Sequence, residues 1–304
     1  MTGGDPTILI TGCPRSGTTW LGRVLSASPN IRYVHEPFNF KTPSPATAFR
    51  SRHSFDHISE NDDERLMPLE RLFTGQSLLW TRPRAGVSLR RFSLWYLKQL
   101  ASPRKTRTLI KDPLAFLSAE SLARRFDTKV VVITRRPESV VASFIRRGWD
   151  FHDLKRYVGL MRPLEIWTDE ELEPARRCGD SKVERVAHLW RLLALWGMQL
   201  ETRNPSWNFI RYEALAADPE QEFSRLCGAL GIEFDDRKRA LLRSMNRPSR
   251  SEPGSEQVKD TYRMRSELPD PDTVLTRADD ELVKSICCRE LALLYPETSA
   301  AMTD

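Results

Sequence analysis

The sequence predicts an α/β protein, a P-loop-like parallel sheet of about five strands flanked by helices. Three observations predict it. Five short apolar runs, rich in β-branched residues, have strand length. Stretches of helical periodicity separate them. A glycine-rich loop joins the first run to the first helical stretch.

The elements follow in order. Thr7–Thr11 is the first strand, and Thr19–Ala27 the helix behind the loop. Ile31–Val34 and Thr108–Lys111 are the second and third strands. Ala119–Phe126 reads as a helix before the fourth strand, Lys129–Thr134 ("KVVVIT"). That run is β-branched on successive residues, the pattern of a parallel strand covered on both faces. Pro137–Arg147 is the helix after it, and Glu184–Glu201 a long amphipathic helix. Asn208–Arg211 is the fifth strand. Pro219–Leu230 has Asp218 as N-cap, proline at the first helical position and Gly231 past its end.

Two stretches break this rhythm. Residues 38–107 hold Pro-rich and charged pieces around "LRRFSLWYLKQL" and read as an insertion, a candidate substrate cap. Residues 246–261, rich in Pro, Ser and Gly, read as a loop closing over the site. Neither has the apolar periodicity of a separate domain, so residues 1–304 are expected to form one domain.

Net charge is +6 over 304 residues, with no block of like charge. That favours an anionic ligand and is too mild to imply nucleic acid. The five cysteines include no C-x-x-C pair, and their odd number suits a reducing compartment. Cys287 and Cys288 are expected in the core. No signal peptide or membrane span is legible, so a cytoplasmic enzyme is expected.

The loop Gly12-Cys13-Pro14-Arg15-Ser16-Gly17-Thr18-Thr19 has the two glycines of a P-loop, but Thr18 occupies the lysine slot. A glycine turn opening a helix aims backbone N–H groups at an anion. Those of Ser16, Gly17, Thr18 and Thr19 are the candidates. A triphosphatase would need that lysine, Mg²⁺ and a carboxylate from another strand. Asp112, just after Lys111, is a poor match for the carboxylate. A P-loop kinase using ATP and Mg²⁺, or a non-catalytic nucleotide-binding interaction protein, remain as alternatives.

Pro14-Arg15-Ser16-Gly17-Thr18-Thr19 resembles the loop of the PAPS-dependent sulfotransferases. "RRPESVVAS" supplies Arg135 and Ser143 at the spacing of that family's second signature. Tyr212-Glu213 and Leu230-Gly231-Ile232 resemble its later ones. The resemblance implies that Arg135 and Ser143, at a helix start, hold the donor's 3′-phosphate. It also implies that Tyr212 and Trp20 contact the adenine. Arg250, in the late loop with Ser249, Ser251 and Lys259, falls where the family closes over that phosphate. PAPS is the implied donor, adenosine 3′,5′-bisphosphate the product, and no metal is expected.

Arg15 would clamp the transferring sulfuryl group, since arginine stays charged and forks to two oxygens. The histidine base of the cytosolic members is missing, because Lys111-Asp112-Pro113 stands in its place. The protein-tyrosine sulfotransferases look closer: they carry such a Lys-Asp-Pro run, and Glu36 stands at their distance from the loop arginine. Glu36 is then the expected general base, its pKa raised by burial. His35 is its rival. Neighbours on an extended strand face opposite ways, so only one of the two should reach the site. Lys111 is expected to support the transferring group. The acceptor is expected to be a hydroxyl of a glycan, glycolipid or small natural product. Trp80, Trp95 and Trp149 are candidate lining residues for it, whereas Trp190 and Trp196 belong to the core.

Overall fold

The computed structural model describes residues 5–28, 30–39, 57–74, 107–151, 154–161, 164–245 and 274–296. Its centre is a parallel five-stranded sheet: β1 (Ile8–Gly12), β2 (Ile31–His35), β3 (Arg107–Lys111), β4 (Lys129–Thr134) and β5 (Asn208–Arg211), in the order β2-β3-β1-β4-β5. Every residue of β1 and β3 is buried, which explains the apolar run of β1 and leaves Arg107 and Lys111 as buried cations at the two ends of β3.

The helices are α1 (Thr18–Leu25), α2 (Asp63–Phe73), α3 (Ala119–Phe126), α4 (Pro137–Arg146), α5 (Leu154–Met161), α6 (Asp169–Arg177), α7 (Lys182–Arg203), α8 (Tyr212–Ala217), α9 (Pro219–Leu230), α10 (Asp236–Met245) and α11 (Arg277–Leu294). A 3-10 turn, Pro113–Ser118, leads into α3. Two apolar cores result. One packs α1, α8, α9 and α10 against the side chains of Ile8, Ile10 and Val131. The other packs α2, α3, α4, α7 and α11 around Leu9, Ile110, Val130 and Val132. Alternating residues of one strand thus feed opposite cores. Trp190 and Trp196 lie in the second core, as expected.

Capping sets the helix ends. Asp218 accepts from Gln221 N–H with Pro219 at the first position, and Gly231 takes φ 71° after α9. Ser181 caps α7, which starts two residues before the expected Glu184, and Thr168 and Thr276 form capping boxes with Glu171 and Asp279. Of the expected core pair, Cys287 is buried but Cys288 is exposed, since adjacent residues on α11 face different ways. The insertion contributes α2 to the core. "LRRFSLWYLKQL" and the 246–261 loop lie outside the described residues.

The carbonyls ending α9 face two cations from the sheet. Arg107 Nη1 donates to Leu230 O at 2.8 Å, and Lys129 Nζ donates to Ala229 O and Leu230 O. Arg107 Nε also donates to Pro6 O at 2.7 Å. Arg107→Met is therefore expected to lower unfolding free energy by about 3 kcal/mol, read by urea denaturation, because buried carbonyls lose a charged donor.

Candidate active site

Five carboxyl-terminal strand ends converge here. Ligands of open α/β sheets bind where the connections leave in opposite directions. Chain order places that point between β1 and β4. The loop after β1 is built around its glycines. Gly12 sits at φ 134°, and a Cβ there would lie 2.2 Å from Ile133 O. Gly17, the N-cap of α1 at φ 97°, leaves room for the Tyr212 ring, which a Cβ would meet at 2.7 Å. Arg15 holds φ 71°, an uncommon left-handed conformation for a residue with a side chain. The Ser16 N–H closes the turn on Cys13 O at 3.2 Å, so it is already engaged. The Ser16 hydroxyl is fully buried beside the Cys13 thiol and otherwise unpartnered among the described residues. Burial pushes that thiol up to about 12, which keeps it protonated beside the loop.

Two arginines meet over this loop. Arg15 Nε donates to Ser143 Oγ at 2.9 Å. Arg135 Nη1 donates to the carbonyl of Arg15 at 3.3 Å, and its guanidinium lies 4.3 Å from the Tyr212 ring centre. Arg135 Nε is buried without a hydrogen-bond partner among the described residues. Among the described residues Arg135 forms no ion pair, and a partly buried cation with an unbonded, buried N–H is stabilised by an incoming anion. Trp190 Nε1 donates to the Arg135 carbonyl at 2.9 Å and fixes the strand end from beneath. The sequence places Ser143 at a helix start. It lies instead within α4, and it bonds to Arg15.

The second and third strands supply the opposite wall. Their register pairs His35 with Lys111. Glu36 N then donates to Lys111 O at 2.7 Å, while the Glu36 backbone turns to φ 47°. This left-handed turn overrides the strict alternation expected of the strand. Both side chains approach one spot, His35 Nε2 lying 3.9 Å from Glu36 Oε1. Lys111 Nζ, itself buried, donates to Glu36 Oε1 in a partly buried ion pair, and Asn39 Nδ2 donates to Glu36 Oε2 at 2.8 Å.

The expected rise in the Glu36 pKa is overturned. Burial does push the carboxyl up. Lys111 opposes it most, followed by His35 and the hydrogen bonds from Lys111 and Asn39, and together they hold it below its usual value. Partial burial and then the Lys111 ammonium pull His35 down to about 4, so it is neutral at physiological pH. Asp112 shows the reverse balance: burial, then the charge of Glu36, pushes it up to about 7. Asp112 accepts from Phe38 N–H at 2.6 Å and Leu114 N–H at 2.9 Å. It thereby anchors the chain just beyond Glu36.

Trp20 is packed edge-on between Tyr212 and Phe223 and is only 6% exposed. The structure therefore places it among core side chains, with Tyr212 between it and Arg135. Trp149 is the opposite case: it is 48% exposed, with the Arg15 guanidinium 5.4 Å from its ring centre. Its mount is firm. Trp149 N donates to Phe144 O, and the next residue, Asp150, takes a two-pronged bond from Arg185 at 3.0 and 2.7 Å. Asn39 escaped the sequence reading, although an Asn three residues past the base in "EPFN" is a local signal. Arg250, Ser249, Ser251, Lys259, Trp80 and Trp95 lie outside the described residues. Among the described residues no helix is long and apolar enough to cross a membrane.

A family model described as "Sulfotransferase family" matches residues 6–236. No curated protein matches the chain. Several solved structures are similar. One is the sulfotransferase domain from the curacin biosynthetic pathway, at 17% identity, TM-score 0.46, covering 95% of this chain and 97% of that one. Another is a sulfotransferase from Alicyclobacillus acidocaldarius, at 14% identity and TM-score 0.47, covering 94% and 93%. A third is mouse sulfotransferase SULT7A1 complexed with PAP, at 14% and 0.45, covering 94% and 84%.

Proposed function

The chain belongs to the sulfotransferase family, and on that premise we propose that it moves the sulfuryl group of PAPS to an acceptor hydroxyl, with Glu36 as general base. One observation carries the choice of donor. Two arginines, Arg15 and Arg135, stand at the ends of neighbouring strands, tied through the Arg15 carbonyl. PAPS offers two anionic groups to match: a 5′-phosphosulfate for the loop and Arg15, and a 3′-phosphate for Arg135.

The roles follow from position. Arg15 and the α1 end bind the phosphosulfate, where fixed charge stabilises the in-line transition state. Ser143 holds Arg15 and shares its anion. Tyr212 supports Arg135 and borders the adenine site. Gly17, Thr18 and Thr19 offer backbone N–H groups, and Ser16 its hydroxyl. Lys111 now bonds to Glu36. Moving that bond to a sulfuryl oxygen would remove the strongest influence holding Glu36 down, so the base would strengthen as the donor arrives. No metal is assigned a role.

Trp149 offers an exposed ring face beside Arg15, and we place the acceptor there: a glycan, glycolipid or small natural product. The residues of 38–107 are proposed as its cap. A cytoplasmic setting is part of the same reading.

The direct test is incubation with labelled PAPS and a cell extract, followed by mass spectrometry for a sulfated product. Calorimetry adds a second check. Arg135→Ala is expected to weaken adenosine 3′,5′-bisphosphate about a hundredfold, and adenosine 5′-monophosphate far less. Equal losses would remove Arg135 from the 3′-phosphate site. Mg²⁺-dependent transfer from ATP, without binding of the bisphosphate, would favour the kinase reading.

A further inference from the structure

Tyr295 follows α11, well past the residues matched by the family model. It is 1% exposed. Its hydroxyl donates to Glu213 Oε2 at 3.0 Å, and Glu213 Oε1 accepts from Arg136 N–H at 3.0 Å. Arg136 is the N-cap of α4, so this bond fixes the turn that carries Arg135. Glu213 also follows Tyr212, the residue beneath the Arg135 guanidinium.

The Tyr295 ring is gripped as well. The guanidinium groups of Arg136 and Arg211 lie 5.0 and 5.6 Å from its centre. Burial, then the Glu213 carboxylate, pushes the phenol well above its usual value, so it remains a donor. One carboxylate thus ties together the ends of β4 and β5 and the C-terminal helix. It does so through a backbone N–H and a phenol, and among the described residues Arg135 keeps its charge free of an ion pair.

We infer that Tyr295 and Glu213 are positioning residues for the donor: they brace Arg135 and Tyr212 in the geometry that receives the 3′-phosphate. This rests on the assignment of Arg135 made above. The brace acts through the β4–α4 turn and the β5–α8 junction, so its loss should blur recognition of one phosphate and spare the rest of the nucleotide.

Tyr295→Phe tests it. The variant keeps the ring between the two guanidinium groups and removes only the hydroxyl. Titration calorimetry on the full chain would compare adenosine 3′,5′-bisphosphate with adenosine 5′-monophosphate. Bisphosphate affinity is expected to fall about fivefold, the equivalent of one net hydrogen bond, while monophosphate affinity changes less than about twofold. Glu213→Gln should show the same selectivity with a larger loss. Should Tyr295→Phe fail to fold, Glu213→Gln decides alone. An unchanged affinity ratio, even with a lower melting temperature, makes Tyr295 purely structural and overturns the brace. A wild-type protein with no preference for the bisphosphate would instead overturn the Arg135 assignment, and the brace with it.

Discussion

Glu36→Gln is expected to cut turnover about a thousandfold, the usual contribution of a positioned proton acceptor. Glutamine keeps an oxygen for Lys111 and the same length, so melting temperature and donor affinity should stay near wild type. Activity unchanged in this variant would end the general-base assignment. The pH profile adds a second reading. Glu36 must be ionised to act, and Lys111 holds its carboxyl below the usual range against the opposing effect of burial. The acid limb of kcat/KM for the free enzyme should therefore lie below that range, with activity lost only as pH falls through it. Lys111→Met removes the strongest lowering influence and leaves burial unopposed, so the limb should move upward. A limb that stays put would show that Lys111 does not set the base.

Arg15→Ala should lower turnover about a hundredfold to a thousandfold, as loss of one fixed stabiliser of transition-state charge does. Arg15→Lys should recover only part of it. Lysine keeps the charge but cannot bond to Ser143 and fork to a second oxygen in the same way. The φ of 71° at this position adds a further contrast. Arg15→Gly should leave the loop intact and still lose the activity, which separates the side chain's work from that of the backbone. Comparable activity in the glycine and wild-type proteins would refute the clamp.

The sheet was legible because its central strands are buried on both faces. "KVVVIT" is β-branched from Val130 to Thr134, and the strand limits fall within a residue or so of those read from the sequence. The helices at Asp63–Phe73, Leu154–Met161, Asp169–Arg177, Tyr212–Ala217 and Asp236–Met245 were missed, being short and, for three of them, strongly charged. Their apolar stripes mean little until neighbours define an inside. The Thr168/Glu171 capping box was a usable signal passed over.

At the site, the loop pattern singled out Arg15, and the resemblance to the sulfotransferases singled out Lys111, Arg135, Tyr212 and Glu36; the structure brings all five to one edge of the sheet. Balance among them was less legible. Whether Glu36 rises or falls depends on the reach of a lysine from a strand distant in sequence. The left-handed turn that lets His35 and Glu36 converge has no signature in "YVHEPF". Ser143 was singled out through its spacing from Arg135, yet its hydroxyl serves Arg15, a loop residue distant in sequence.

The pairing of His35 with Lys111 makes the sheet a ruler. Groups at the strand ends can be repositioned by whole residues only, in steps of about 3.3 Å, and an odd step turns a side chain to the other face. Finer adjustment falls to side-chain length. Natural or laboratory selection for a new acceptor should therefore act on residues such as Trp149, or exchange Glu for Asp and Lys for Arg, while the strands remain as they are.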